Sequence, residues 1–348
     1  MPQETTQETR RRVVFVVGSG RSGTSTMAGA LQALGMHVPQ PEVAADETNP
    51  RGFAESKWVV DFHHELLQRH HVQVSDARPS AWYETGKASA SGITRARLTD
   101  WMGPHFREAV GEEPAVEELV VKDPRLAWFL GLWKSAALRC DAQASYVTML
   151  RHPAEVVGSK QRYYSQATND FSHVQRTAAW VNMMVHTERA TRGGARAFVR
   201  YDDLLTDWTV PVFELGQALG LRAVQEASAN SIRAVHQFVD PSLKRVATTW
   251  DDVPVPARLK EMAEETSQAL DGLVADDSAA GQETLDQVRA AYDDFYDEAE
   301  AVAQSSIVAA RRQGRAEGKA QAREERPPTA PDPLALRAAR KVRRAIQR

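Results

Sequence analysis

Residues Val13 to Thr26 read VVFVVGSGRSGTST, and this stretch decides the fold. The apolar run Val13 to Val17 ends in a glycine-rich turn. Thr24 to Leu34 then sets Met27, Ala30, Leu31 and Leu34 on one helical face, with Gly35 as a natural stop. A buried strand, a glycine loop and a helix make one βα unit, whose joint offers backbone N–H groups and a helix N-terminus to an anion. The frame from Gly18 to Ser25 is G-x-x-x-x-G-T-S, so Thr24 stands where loops of the form G-x-x-x-x-G-K-[ST] carry lysine. In those loops the lysine reaches the β and γ phosphates of a nucleoside triphosphate and the neighbouring Ser or Thr holds Mg²⁺. Its absence argues against phosphoryl transfer from ATP or GTP. Ser19, Gly20, Arg21, Ser22, Gly23, Thr24 and Ser25 are the candidate cradle, with glycines for close approach, hydroxyls as donors and Arg21 as fixed charge. A tight turn that only packs helix on sheet is the plainer alternative.

Three further apolar, β-branched runs, Leu119 to Val121, Ser145 to Leu150 and Ala197 to Val199, are each followed by turn or charged residues and a helical period. That alternation predicts an α/β fold, a P-loop-like parallel sheet flanked by helices. Arg21, Lys122, Arg151 and Tyr201 follow the four runs in turn, so all fall at the carboxyl ends of parallel strands, where open α/β sheets bind ligands.

The strand signal stops near residue 257. Leu285, Val288, Tyr292, Phe295, Ala299 and Val302 then repeat with 3-4 spacing, a heptad seam that would pack on the body, pair two copies as a homodimer, or hold a partner. Pro327, Pro328, Pro331 and Pro333 form a linker. The closing LALRAARKVRRAIQR sets Leu334, Ala338, Val342 and Ile346 on one stripe among basic residues, the pattern of a helix lying on an anionic membrane surface or of a basic solvated end. The expected division is a disordered 1–12, an α/β domain over 13–257, a helical extension over 258–326, and linker plus basic helix over 327–348.

With 348 residues and 42% hydrophobic composition, the chain can bury one large core and carry an appendage. Its single cysteine, Cys140, makes no internal disulfide, and residues 1–12 lack the apolar core of a signal peptide, so a cytoplasmic location is expected. No apolar stretch is long enough to span a bilayer, which leaves peripheral membrane contact as the alternative. The net charge of −3 hides an asymmetry: residues 311–348 hold twelve Lys or Arg against four Asp or Glu, leaving the rest with 31 basic and 42 acidic residues. So acidic a body is a poor nucleic-acid binder, and no nucleic-acid partner is expected.

GSGRSGTST at the end of an N-terminal strand resembles the 5′-phosphosulfate loop of the sulfotransferases that use 3′-phosphoadenosine 5′-phosphosulfate (PAPS). LRHPAEVVGSKQ, Leu150 to Gln161, resembles their second element, in which Arg151 and Ser159 would grip the 3′-phosphate. NPRGFAE, Asn49 to Glu55, and VVKDPRL, Val120 to Leu126, are similar to segments of bacterial members. The resemblance covers roughly residues 13 to 250. It implies PAPS as donor co-substrate, no required metal, and an acceptor hydroxyl on a carbohydrate, lipid or small metabolite. Glu55 is then the candidate base, with Lys122 and Arg21 stabilising the leaving group. Lys244 and Arg245, in a segment that closes over the nucleotide in the family, would reach the 3′-phosphate or form a solvated pair. Arg21 departs from the lysine of many cytosolic members, replacing a point donor with a planar fork.

In DFHHELLQRHH the H-E-x-x-H metal frame fails because Gln68 takes the second histidine position. These histidines are expected to be partly exposed on a helix, with His63 or His64 as reserve base. Trp82 and Trp101 would line the acceptor site or a hydrophobic face, with core packing the favoured reading. Two rivals stay open: a P-loop kinase or NTPase, and a non-catalytic nucleotide-binding scaffold.

Overall fold

The structure, a computed structural model, describes residues 11–47, 49–110, 115–164, 172–240, 242 and 248–324. In chain order the elements are β1 Arg11–Val17, α1 Thr24–Ala33, α2 Lys57–Arg69, α3 Ser80–Ala90, α4 Gly92–Met102, β2 Glu118–Lys122, α5 Leu130–Arg139, β3 Ala142–Leu150 and α6 Pro153–Tyr164. There follow α7 His173–Thr191, β4 Ala195–Arg200, α8 Tyr201–Thr206, α9 Thr209–Leu219, α10 Arg222–Gln225, α11 Ala229–Phe238, α12 Ala257–Ala275 and α13 Ala279–Glu324.

The strands pair in the order β2-β1-β3-β4, all parallel. Each contains one of the four apolar runs. Side chains alternate across a strand, and both faces of β1 are covered, which is why it reads as an unbroken apolar run. Val13, Phe15 and Val17 join a core with α2 to α5 residues such as Phe62, Leu98 and Trp133. Val14 and Val16 join another with Met27 and Leu31 of α1 and with Leu215 and Val235 of α9 and α11. The chain leaves β1 for β2 on one side and reaches β3 on the other, so the direction of winding reverses beside β1. The crevice at such a reversal is where open α/β sheets receive ligands. Register pairs Val16 with Lys122 and Val17 with Thr148, so the end of β2 lies beside the start of the glycine loop.

Three boundaries differ from expectation. Arg11 and Arg12, assigned to a disordered N-terminus, belong to β1, where the Arg12 guanidinium donates to Leu219 O at 2.6 Å. The α/β domain does not stop at 257: α12 buries Leu259, Met262, Ala263, Leu270 and Leu273, and the compact unit runs to Asp293. Its apolar positions give it a face that covers the sheet, a role that a search for strands does not reveal. The heptad seam also divides. Leu285, Val288 and Tyr292 are buried, whereas Val302 in the second unit, Asp294–Arg348, is 89% exposed. The first three seam positions are therefore used inside this chain's own body and are not free for a partner. Among the described residues, no helix is long and apolar enough to cross a membrane. Residues 327–348 lie outside the described residues.

Candidate active site

The glycine loop turns because two of its residues tolerate what others do not. Gly18 has φ +130°, and a Cβ there would lie 2.8 Å from Met149 O; Gly23 has φ +92°, and a Cβ would meet Tyr201 Cδ2 at 2.1 Å. Gly20 is under no such demand, since a Cβ would only touch Pro124 at 3.6 Å. Arg21 also adopts a left-handed conformation, with φ +77°. Gly23 occupies the N-cap of α1, where no side chain caps the helix and the first turn carries no acid. The helix thus presents uncapped N–H groups and its positive dipole end to the cleft.

The loop hydroxyls divide between structure and cleft. Ser22 Oγ donates to Ser19 O at 2.5 Å and Ser19 Oγ accepts from Lys160 Nζ at 2.9 Å, so these two expected ligands are turned into the loop. Neither lines the cleft, whereas Gly20, Arg21, Gly23, Thr24, Ser25 and Thr26 do.

Arg151 and Ser159, joined to the loop in sequence only by motif, reach it in space. Arg21 Nε donates to Ser159 Oγ at 3.1 Å, and Arg151 Nη1 donates to Arg21 O at 3.0 Å. Each guanidinium is held on an aromatic face: Arg21 at 4.3 Å from the Tyr163 ring centroid, Arg151 at 5.0 Å from that of Tyr201. Glu155, one turn into α6, pairs with Arg151 at 2.8 Å and fixes its head. Together with Asn49, Pro50, Phe53, Glu55, Lys122, Pro124 and Arg125, the two arginines, Ser159 and the two tyrosines line a cavity of about 260 Å³.

Opposite the arginines lies a buried ion pair. Lys122 Nζ donates to Glu55 Oε1 and, at 2.8 Å, to Ser25 Oγ. Thr24 replaces the loop's lysine, yet β2 supplies an ammonium to the next residue of the frame. Glu55, 7% exposed, has its carboxyl pushed up by burial, against the pull of Lys122 and with a further push from Asp123. Burial also pushes Asp123 up, but the His63 ring and the Arg125 guanidinium outweigh it and hold the carboxyl below its usual range. Arg125 Nη1 donates to Asp123 Oδ2 at 2.9 Å; His63 Nδ1 stands 3.7 Å from the same oxygen, an electrostatic contact longer than a hydrogen bond.

His63 corrects the expectation of partly exposed histidines. It is fully buried, accepts from Trp133 Nε1 at 2.8 Å and stacks on Phe129, so its ring is a packing element behind the K-D-P-R turn. His64 is exposed, and neither histidine lines the cleft. Trp82 stacks on His186 and Trp101 on Trp58, both against the core. Lys244 and Arg245 lie outside the described residues. Tyr163, Phe53 and Arg125 line the cleft without having been singled out in the sequence. Tyr163 was findable, since it follows Ser159 by four residues and shares its helix face. Lys160 gave no such signal.

A strand–glycine loop–helix unit, two arginines and a lysine–carboxylate pair thus meet in one cleft at the carboxyl ends of the parallel strands. The sulfotransferase family model matches residues 13–226, well over half of the chain, and the chain belongs to that family. Sulfuryl transfer is the class of activity that this membership supports. Among solved structures, the chain is similar to the sulfotransferase domain from the curacin biosynthetic pathway, with 15% identity, 75% of this chain and 98% of that one covered, and a TM-score of 0.40. It is also similar to the sulfotransferase domain from the Synechococcus PCC 7002 olefin synthase, with 18% identity, 78% and 98% covered, and a TM-score of 0.39. No curated protein matches the sequence.

Proposed function

We propose that the chain transfers a sulfuryl group from PAPS to a hydroxyl-bearing acceptor. The observation that carries this reading is the contact of Arg21 with Ser159, 3.1 Å, which brings the loop suited to a 5′-phosphosulfate against the Arg151–Ser159 pair suited to a separate 3′-phosphate. A nucleoside triphosphate has no use for that second anion site. When bound, the donor supplies an activated sulfuryl group on a 5′-phosphate. The residues fit it: uncapped α1 N–H groups, Thr24 and Arg21 would hold the phosphosulfate, and Arg151 with Ser159 the 3′-phosphate.

In this reading Glu55 removes the proton from the acceptor hydroxyl as its oxygen attacks sulfur, and Lys122 with Arg21 stabilises the charge left on the departing phosphate. Burial raises the Glu55 carboxyl and so strengthens it as a base, while the Lys122 ammonium pulls the other way and favours its ionised form. Phe53 and Pro124 give the acceptor side an apolar wall. The acceptor is a hydroxyl on a carbohydrate, lipid or small metabolite.

A thermal-shift series with adenosine 3′,5′-bisphosphate, ATP and GTP, each with and without Mg²⁺, tests the donor. A hundredfold excess of ligand over its Kd stabilises by about 2.7 kcal/mol. The bisphosphate is expected to raise Tm without metal, and Arg151→Ala to shrink the shift by a contact of about 1.5–3 kcal/mol. A larger rise with Mg-ATP than with the bisphosphate would favour a kinase or NTPase. Nucleotide binding with no turnover on any hydroxyl acceptor would favour a scaffold.

A further inference from the structure

Two successive residues of α6 grip the glycine loop from opposite sides. Ser159 faces the cleft and accepts from Arg21, while Lys160, 5% exposed, passes behind the loop. Its Nζ donates to Ser19 Oγ at 2.9 Å and to Ser75 Oγ at 3.1 Å. Ser75 belongs to a segment fastened from α7, where Gln175 Nε2 donates to Ser75 O at 3.0 Å and Asn182 Nδ2 to Asp76 O at 3.0 Å. One buried ammonium therefore joins the glycine loop, the helix of the 3′-phosphate pair and the 73–78 segment.

The charge around this ammonium is unusual for a buried lysine. The groups that meet it from the loop and from the 73–78 segment are neutral hydroxyls. Among the described residues, the charged group acting on it is another cation, Arg176 of α7, itself buried. The carboxylate of the 73–78 segment, Asp76, is engaged by Arg78 at 2.6 Å and by the Gln73 amide at 3.0 Å, and Glu155 on the lysine's own helix is paired with Arg151. Buried cations are ordinarily paired with acids. A cation placed behind an anion-binding loop gains a counter-charge when that loop fills.

We infer that Lys160 is a positioning residue whose buried charge is completed by the donor anion, so that donor binding and protonation of Lys160 are coupled. This rests on the donor reading above. Burial, with a smaller contribution from Arg176, pushes the free ammonium down to about 8. A bound anion favours the charged form and raises that value. Below the free value the lysine is already protonated and binding takes up nothing at this site. Above it, binding draws in a proton, and affinity falls by up to about tenfold per pH unit until the bound-state value is passed.

The test is calorimetric titration of the full chain with adenosine 3′,5′-bisphosphate at pH 8.5, in two buffers of different ionisation enthalpy, which counts protons per nucleotide. With the free value at about 8, the native chain is expected to take up about three-quarters of a proton, and Lys160→Met none, with affinity about tenfold weaker at pH 7. Lys160→Arg keeps a cation that does not titrate, and should bind without proton uptake. Ser75→Ala, which cuts the tie to the 73–78 segment and leaves the charge, should keep the uptake. If Lys160→Met does not fold, uptake by the native chain that rises through pH 8 and is lost in Lys160→Arg carries the inference alone. Binding by the native chain with no uptake at pH 8.5, or uptake that survives in either Lys160 variant, overturns it and leaves the donor reading standing. Absence of bisphosphate binding by the native chain removes both.

Discussion

The two ends of the cleft handle charge in opposite ways. At the donor end, Arg21, Arg151 and the open N-terminus of α1 converge on hydroxyls and aromatic faces, and the acid beside them, Glu155, braces Arg151 from its own helix. At the acceptor end, the Lys122 ammonium is met directly by the Glu55 carboxylate, and Arg125 by Asp123. The first sets two guanidiniums and a helix N-terminus beside the Glu155 carboxylate, which pairs with Arg151. The second pairs each cation with a carboxylate, and burial raises the Glu55 carboxyl against the pull of Lys122. In the proposed function, donor binding and proton transfer fall to different parts of one pocket.

Glu55→Gln separates them with the largest expected effect. Turnover should fall by about 10²–10⁴-fold, the contribution of a positioned general base. Bisphosphate affinity should hold or tighten, because the substitution removes a negative charge from the cleft and leaves Lys122 uncompensated. A loss of nucleotide affinity comparable to the loss of turnover would show the two ends to be one electrostatic unit. The pH profile sharpens the same point. Since burial raises the Glu55 carboxyl, the acid limb of the rate should lie above the ordinary glutamate range, with activity rising as pH rises through it. Glu55→Gln should abolish that limb.

The opposite substitution is Gly23→Ala, which attacks the donor end. At φ +92° and with its Cβ 2.1 Å from Tyr201, alanine must strain the backbone and displace the ring on which Arg151 rests. A cost of about 2–4 kcal/mol in unfolding free energy follows from the two penalties together. Denaturant unfolding measures this, and the folded fraction should bind bisphosphate more weakly than the native chain. Gly20→Ala, where only Pro124 is in contact, is the control and should cost less than about 1 kcal/mol. Equal effects from the two glycines would mean that the loop is not held by Tyr201.

The donor end was the more legible in the sequence, and the reason is physical. Its parts are local: a glycine loop must follow its strand and precede its helix, and Arg151 and Ser159 lie on one short strand–helix joint, so spacing along the chain carries the geometry. The acceptor end is assembled across the fold. Glu55 and Lys122 were each named, but their contact spans sixty-seven residues and depends on the register of β2 with β1. Likewise His63 looked like a surface histidine, because Asp61, His64 and Glu65 stand close to it on α2. Only the packing of Trp133 and Phe129 reveals it as core. Lys160 was hidden for a related reason. A lysine on a helix is normally solvated, and no local pattern says that a loop and a distant segment will close over it.

The smallest effects lie where α13 closes on the 73–78 segment. Tyr292, at the third position of the heptad seam, donates to Ala77 O at 2.6 Å, in the same 73–78 segment that Lys160 holds through Ser75. Tyr292→Phe removes that donor and leaves a buried carbonyl without it, which should cost about 1 kcal/mol in denaturant unfolding. Ring packing is retained, so bisphosphate affinity should not change. Val302, two heptad positions and one turn further along α13, is 89% exposed, and Val302→Ser should move stability by less than about 0.5 kcal/mol. A matching loss at both positions would mean that the seam is continuous and covered along its whole length in solution, by a second copy or another partner. Sedimentation of the two variants would then separate association from packing, since only an intermolecular seam makes the effect of Val302→Ser depend on protein concentration.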